Sequence, residues 1–212
     1  MKLQSGIIDI DFHQLLNWSK SQELKKIPLD RLSKIIDLLP SLVRASYAFQ
    51  TKEKAECKGL RECDLPQPIE HCGLIVFCLC TIGEKLELKV SELMKNNRYS
   101  DAYVLDLMGS LSASFLAEKI AFLARDIAHS KGLRVSRVFE PGAGSSKWPL
   151  EGQRFIFQNI DGEKMGVELS KDLCMKPLKS LSFIMGMDES IDEPPNLVSC
   201  AGCPKKNCFY RR

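Results

Sequence analysis

The sequence predicts a domain that mixes α-helices with β-strands, and three stretches carry the expectation. Residues 103–128 repeat small and apolar side chains at Leu107, Leu111, Ala113, Ser114, Ala117, Ile120, Ala121 and Ala124, the mark of one long helix. GLIVFCLCT, residues 73–81, is an unbroken apolar run of strand length, the pattern of a strand covered on both faces. KMGVELS and KSLSFIMGM read as two further strands separated by a turn through residues 171–177.

Composition narrows the class. A hydrophobic content of 44% in 212 residues supports a real core and excludes global disorder. We read one domain over residues 1–190, including an N-terminal helical segment (1–56), followed by a Pro-rich linker and cysteine tail (191–212). The net charge of +3, with no long block of either sign, argues against a nucleic-acid surface. No apolar run in the sequence reaches membrane-spanning length, and MKLQSGIIDIDFHQ lacks the apolar region of a signal peptide. These features read as a cytoplasmic protein. Nine cysteines, an odd number with no export signal, argue for reduced thiols or a metal or cluster site over a disulfide framework.

Taken in order, residues 9–20 space Phe12, Leu15, Leu16 and Trp18 as a short helix. Pro28 opens a second, with Leu32, Ile35, Ile36 and Leu39 on one face, and Pro40 predicts a kink or restart. Residues 45–54 fit an edge strand. Residues 57–72, with Cys57, Cys63, Pro66, Pro68 and Cys72, read as loop. Within the apolar run, Cys78 and Cys80 alternate as small core residues on one side. Thr81 and Glu84 have capping-box spacing for a helix through Leu86, Val90, Leu93 and Met94. Ser100 or Asp101 can cap the long helix, Gly109, Ser110, Ala113 and Ser114 allow close packing along it, and Gly132 ends it as a left-handed cap.

The next stretch, RVSRVFEPGAGSSKWPLEGQ (134–153), is a short β-like run, a loop with Pro141, Gly142 and Gly144, and a helix start at Pro149. That helix continues through Gln153, Ile156, Phe157 and Ile160 to a turn at Asp161 and Gly162. Such a succession makes a binding edge, with an ordinary turn as the alternative. Arg137, four positions before Pro141, is suited to holding a ligand carboxylate, with an ordinary surface charge as the alternative. Asp106, mid-helix among apolar neighbours, is either a solvated charge or a carboxylate aimed into a pocket. His13, His71 and His129 form no zinc signature, and no nucleophile elbow, Walker loop or dinucleotide fingerprint is present. Cys200, Cys203 and Cys208, spaced C-x2-C-x4-C, suit zinc or an iron–sulfur cluster, with Cys57, Cys63, Cys72 or Cys174 as fourth ligand; free thiols or a disulfide are the alternative.

Three segments in order give a family likeness: residues 78–120, 137–153 and 165–186. Together they resemble the activation (reactivation) domain of cobalamin-dependent methionine synthase in its free-standing bacterial form, and the CAGCPKKNCFYRR ending matches stand-alone relatives. The resemblance implies an α+β fold, an antiparallel sheet with a long central helix and N-terminal helices packed on it. It also implies an activity. The domain binds S-adenosylmethionine and presents its methyl group to an oxidised cobalamin (corrinoid) on a partner while a donor such as flavodoxin or ferredoxin supplies one electron. The partner is a corrinoid-binding protein or a cobalamin-dependent methyltransferase, so the chain serves methionine synthase or related methyltransferase activity. No acid, base or nucleophile is needed, only positioning.

Carried onto this chain, the cofactor-binding set is Arg134, Arg137, Glu140, Pro141, Gly142, Ala143 and Gly144, with Asp106 and Met185. The family motif is Arg, two residues, then Pro-Gly-Tyr. Here three residues, Val138, Phe139 and Glu140, separate Arg137 from Pro141, Ala143 stands in the Tyr place, and Met185 lies near a second missing aromatic. The competing expectation is a corrinoid-protein partner or iron–sulfur electron-transfer module that does not bind S-adenosylmethionine.

Overall fold

The computed structural model describes residues 4–18, 26–198 and 204. Strand β1 (Gln4–Ile7) leads to α1 (Phe12–Trp18), then α2 (Leu29–Leu42) and β2 (Ser46–Glu53). Short 3-10 turns and α3 (Gln67–Glu70) precede β3 (Leu74–Thr81), α4 (Lys85–Lys95) and α5 (Tyr99–His129). The remainder holds β4 (Arg134–Val135), α6 (Gly152–Asn159), β5 (Glu168–Leu169), β6 (Met175–Lys176) and β7 (Ser180–Asp188).

Five strands form one antiparallel sheet in the order β1-β2-β3-β7-β4, and β5 and β6 make a separate ribbon. This is the expected α+β architecture. Side chains alternate across a strand, and β3 shows the consequence. Val76, Cys78 and Cys80 join the core beneath α5, α4 and α2, whereas Ile75, Phe77 and Leu79 join a second core under α6 and the chain around Phe139 and Trp148. All six are fully buried. Burying a large apolar side chain contributes on the order of 1.5–3 kcal/mol, so a strand sealed on both faces anchors the sheet.

The long helix is buried along most of its length, and Gly109 shows why it packs so closely. A Cβ there would lie 2.6 Å from Leu86 Cδ2 of α4. By length and composition α5 could cross a membrane, but 67% of its apolar window is buried inside the protein, as expected of a core helix. It ends as predicted at Gly132 (φ 71°), with Gly132 N–H on the His129 carbonyl and Leu133 N–H on the Ala128 carbonyl, the two bonds of a Schellman cap.

Several local expectations are corrected. β2 is an interior strand, because residues 4–7, with little apolar pattern of their own, pair along its outer side. Pro40 falls in the last turn of α2, where the helix has one residue pair left to run. The capping box does not form: Thr81 Oγ1 takes the Gly83 N–H and the Ser180 hydroxyl, and α4 begins at Lys85. Neither Ser100 nor Asp101 caps α5, which starts at Tyr99; Asp101 instead pairs with Arg98 and Arg31. KMGVELS contributes only the two residues of β5, and the predicted turn after it contains β6. The helix predicted from Pro149 starts at Gly152, after a turn.

Candidate functional site

The edge of the sheet beside β7 carries the predicted site, and a β-bulge shapes it. Val135 pairs with Met187 and Phe139 with Ile184, so four steps along the β4 side match three along β7. The extra residue is absorbed at Ser136 and Arg137. Ser136 N–H donates to the Gly186 carbonyl, Gly186 N–H donates to Ser136 Oγ at 2.8 Å, and that hydroxyl donates to the Arg137 carbonyl. A bulge re-aims the side chains around it. Here it sends Val135 and Val138 into the α5 core and Phe139 into the opposite core.

Beyond Phe139 the loop is internally tied. Gly142 takes φ 74° and its N–H reaches the Trp148 carbonyl at 2.8 Å. The buried Ser146 hydroxyl lies against the Glu140 and Ala143 carbonyls, 2.9 Å from the latter. Trp148 packs against Gly152, where a Cβ would sit 2.5 Å from the indole. Pro141 is buried beneath this loop while Gly142 and Gly144 are exposed. The N–H groups of Gly144 and Ser145 have no partner among the described residues, so the loop tip offers two adjacent donors.

The candidate residues divide between two faces. On the α6 face, Arg137 stacks 4.6 Å from the Phe139 ring and donates to the Ser145 carbonyl at 2.9 Å. It also lines a cleft of about 390 Å³ with Pro68, His71, Cys72 and Asp192. Glu140 follows Phe139 and by strand alternation takes the α5 face. Asp106 is on this face too, 2.7 Å from Lys179 Nζ, and Lys179 also donates to Ser110 Oγ at 2.8 Å. Met185 is fully buried in the α5 core. Arg134 is exposed at the far end of the edge, with Nη1 3.4 Å from the Ile191 carbonyl. The set predicted from sequence is therefore divided between the two faces and does not converge in space.

Lys179 is the residue that sequence reading missed. The signal was present: Lys179 has the same strand parity as Leu181, Phe183 and Met185, so its charge enters a largely apolar face and needs a partner. Asp106, a carboxylate among apolar helix neighbours, posed the same demand.

The segment after β7 covers the outer side of β4. Glu193 Oε2 accepts Val135 N–H at 2.9 Å, and Oε1 lies 2.9 Å from His129 Nε2. Val138 N–H reaches the Leu197 carbonyl at 2.8 Å, with Leu197 fully buried. The predicted metal ligands Cys200, Cys203 and Cys208 lie outside the described residues. Among the described residues no group of His, Cys, Asp and Glu is arranged to hold a metal ion. Burial pushes the Cys63 thiol to about 11 and Cys80 to about 12, and raises Cys57, Cys72 and, most strongly, Cys78. A separate cleft of about 910 Å³, lined by Gly6, Tyr47, Arg44, Gly83, Glu168 and Lys176, lies at the other side of the sheet.

No protein-family model matches this chain, and no curated protein matches it. Solved structures do. The chain is similar to the MetH reactivation domain in its crystal structure bound to AdoHcy, with a TM-score of 0.60 over 94% of this chain and 82% of that one, at 10% identity. The two share a fold.

Proposed function

We propose that this chain reactivates an oxidised corrinoid carried by a partner protein, using S-adenosylmethionine as methyl donor. The observation that supports the reading most is the fold match over 94% of the chain to a reactivation domain with AdoHcy bound. The tied Gly-rich loop, with unpartnered N–H donors at Gly144 and Ser145, is the edge on which an adenosyl group would rest. One electron from a flavodoxin- or ferredoxin-type donor reduces Co(II) to Co(I). The Co(I) lone pair then takes the sulfonium methyl, giving methyl-Co(III) and S-adenosylhomocysteine. In this reading the protein holds the donor sulfur in line with the partner's cobalt, an entropic contribution that needs no general acid or base. In this reading the loop residues Glu140, Pro141, Gly142, Ala143 and Gly144 form the binding edge, and Asp106 lies on the α5 face beside Lys179.

Isothermal titration of the full chain with S-adenosylhomocysteine tests the binding step. Saturable binding is expected, and no heat at millimolar ligand would overturn the reading. Titanium(III) citrate with cob(II)alamin and S-adenosylmethionine, followed by mass spectrometry for methylcobalamin, tests the chemistry.

A second reading, an electron-transfer or corrinoid-protein partner module, draws on the anchored C-terminal segment. Cys200, Cys203 and Cys208 follow Leu197 by three, six and eleven residues, and Leu197 is bonded to Val138 within the candidate edge. Iron and sulfide in anaerobically purified protein would favour this role; a metal-free protein would exclude a cluster.

A further inference from the structure

We propose that the Asp106–Lys179 pair recognises the α-amino-acid end of the adenosyl ligand, its ammonium and carboxylate together. The inference rests on the reading above that the bulged loop binds S-adenosylmethionine or S-adenosylhomocysteine. It names a contact that the motif comparison does not: Lys179 lies within the segment 165–186 of the family likeness, which gives it no role in binding.

Valence comes first. Lys179 has three N–H donors and two are used, one on Asp106 Oδ1 at 2.7 Å and one on Ser110 Oγ at 2.8 Å. Asp106 retains its second oxygen, and its side chain is 48% exposed while that of Lys179 is 14% exposed. The pair thus presents one donor and one acceptor side by side, held in place by the helix and by Ser110. A zwitterionic amino acid offers the reciprocal arrangement, an acceptor carboxylate beside a donor ammonium. Charge-assisted bonds of this kind are the strong ones, and a partly desolvated cation strengthens them.

Placement comes second. Among the described residues the β4 side pairs with β7 only as far as Phe139 and Ile184, which leaves β7 from Phe183 back to Ser180 without a strand on that edge. Glu140 follows Phe139, which enters the opposite core, so alternation turns Glu140 to the α5 face at the end of the Phe139–Ile184 pairing. Lys179 is two residues from Leu181 on the same face, about 7 Å away at strand rise. The loop and the ion pair therefore flank one stretch of open edge on the α5 face. Arg137, the residue expected to meet the carboxylate, is re-aimed by the bulge to the opposite face, where it holds the Ser145 carbonyl. Lys179 supplies a cation on the α5 side.

The test compares two ligands that share the nucleoside and thioether but differ in the amino-acid end: S-adenosylhomocysteine and 5′-methylthioadenosine. Each is titrated calorimetrically into full-length wild type, Asp106→Asn, Lys179→Met, Lys179→Arg and Arg137→Met. The expected result is that Asp106→Asn and Lys179→Met weaken S-adenosylhomocysteine binding by roughly 10- to 100-fold, that Lys179→Arg recovers most of the loss, and that methylthioadenosine affinity stays unchanged. Equal loss for both ligands, or loss only in Arg137→Met, overturns the inference and leaves the function standing. Wild type that binds neither ligand overturns both. Should Lys179→Met fail to fold, Asp106→Asn and Lys179→Arg give the same discrimination.

Discussion

On the α6 face of the β4–β7 edge, the charge nearest the loop is built into the structure: Arg137 lies over Phe139 and holds the Ser145 carbonyl. On the α5 face, Asp106 and Lys179 are joined to each other and to Ser110, with bonding capacity left over. The difference arises from one residue. A side chain in a strand changes face with every single-residue step, and the bulge at Ser136 and Arg137 inserts such a step immediately before the loop. One face secures the loop and the other is free to meet a ligand. The number of residues between an arginine and a Pro-Gly pair therefore matters as much as the presence of the arginine.

The largest expected effect comes from cutting the anchor common to both faces. Phe139→Ala removes a fully buried ring and should lower unfolding free energy by about 3–5 kcal/mol in urea titrations; a loss under about 1 kcal/mol would show that the loop is not secured through that ring. Ser146→Ala should follow, costing about 1–2 kcal/mol, with faster amide exchange at Gly142 and Trp148 as its local signature. Arg137→Met should cost about 1 kcal/mol, one hydrogen bond and a stacking contact, while changing S-adenosylhomocysteine affinity less than about threefold. A loss as large as that of Lys179→Met would erase the asymmetry between the faces.

Thiol chemistry gives a finer comparison. Among the described cysteines, in iodoacetamide labelling mapped by mass spectrometry near pH 8, exposed Cys174 should react first and half-buried Cys63 far more slowly, its thiol held near 11. Cys78 and Cys80 should react only after unfolding. The smallest effect concerns Asp188, whose carboxyl is lowered by bonds from Ser190 and Gly73. A lowered folded-state pKa stabilises at pH values above the ordinary carboxylate range and is lost as pH falls through the folded value. Asp188 is solvent-exposed, so Asp188→Asn should flatten the acid limb of the stability profile only slightly.

The parts of the fold legible in the sequence are those where a local pattern and the packed structure agree. The apolar run of β3 announced a strand covered twice, and the small residues of α5 announced close packing, which Gly109 and Leu86 realise. Gly132 was legible because a left-handed cap needs that residue. β1 was not, since residues 4–7 are held by pairing with β2 and carry no periodicity of their own. The candidate loop was legible from Pro141, Gly142 and Gly144. The faces of its neighbours were not, because a bulge is set by pairing across strands and leaves no local mark. Lys179 stayed hidden for a related reason: its partner, Asp106, is 73 residues earlier and on a helix.

Cys80 has a consequence for the chemistry proposed at this edge. A sulfonium methyl group alkylates whatever nucleophile reaches it, and for cysteine that nucleophile is the thiolate. Cys80 lies beneath the open edge, within the electrostatic influence of Glu140, and burial with that nearby charge pushes its thiol to about 12. At neutral pH the protonated thiol is therefore strongly favoured. In the proposed reaction, the cysteine closest in register to Lys179 would thus be spared, and the methyl group kept for a nucleophile that arrives from outside.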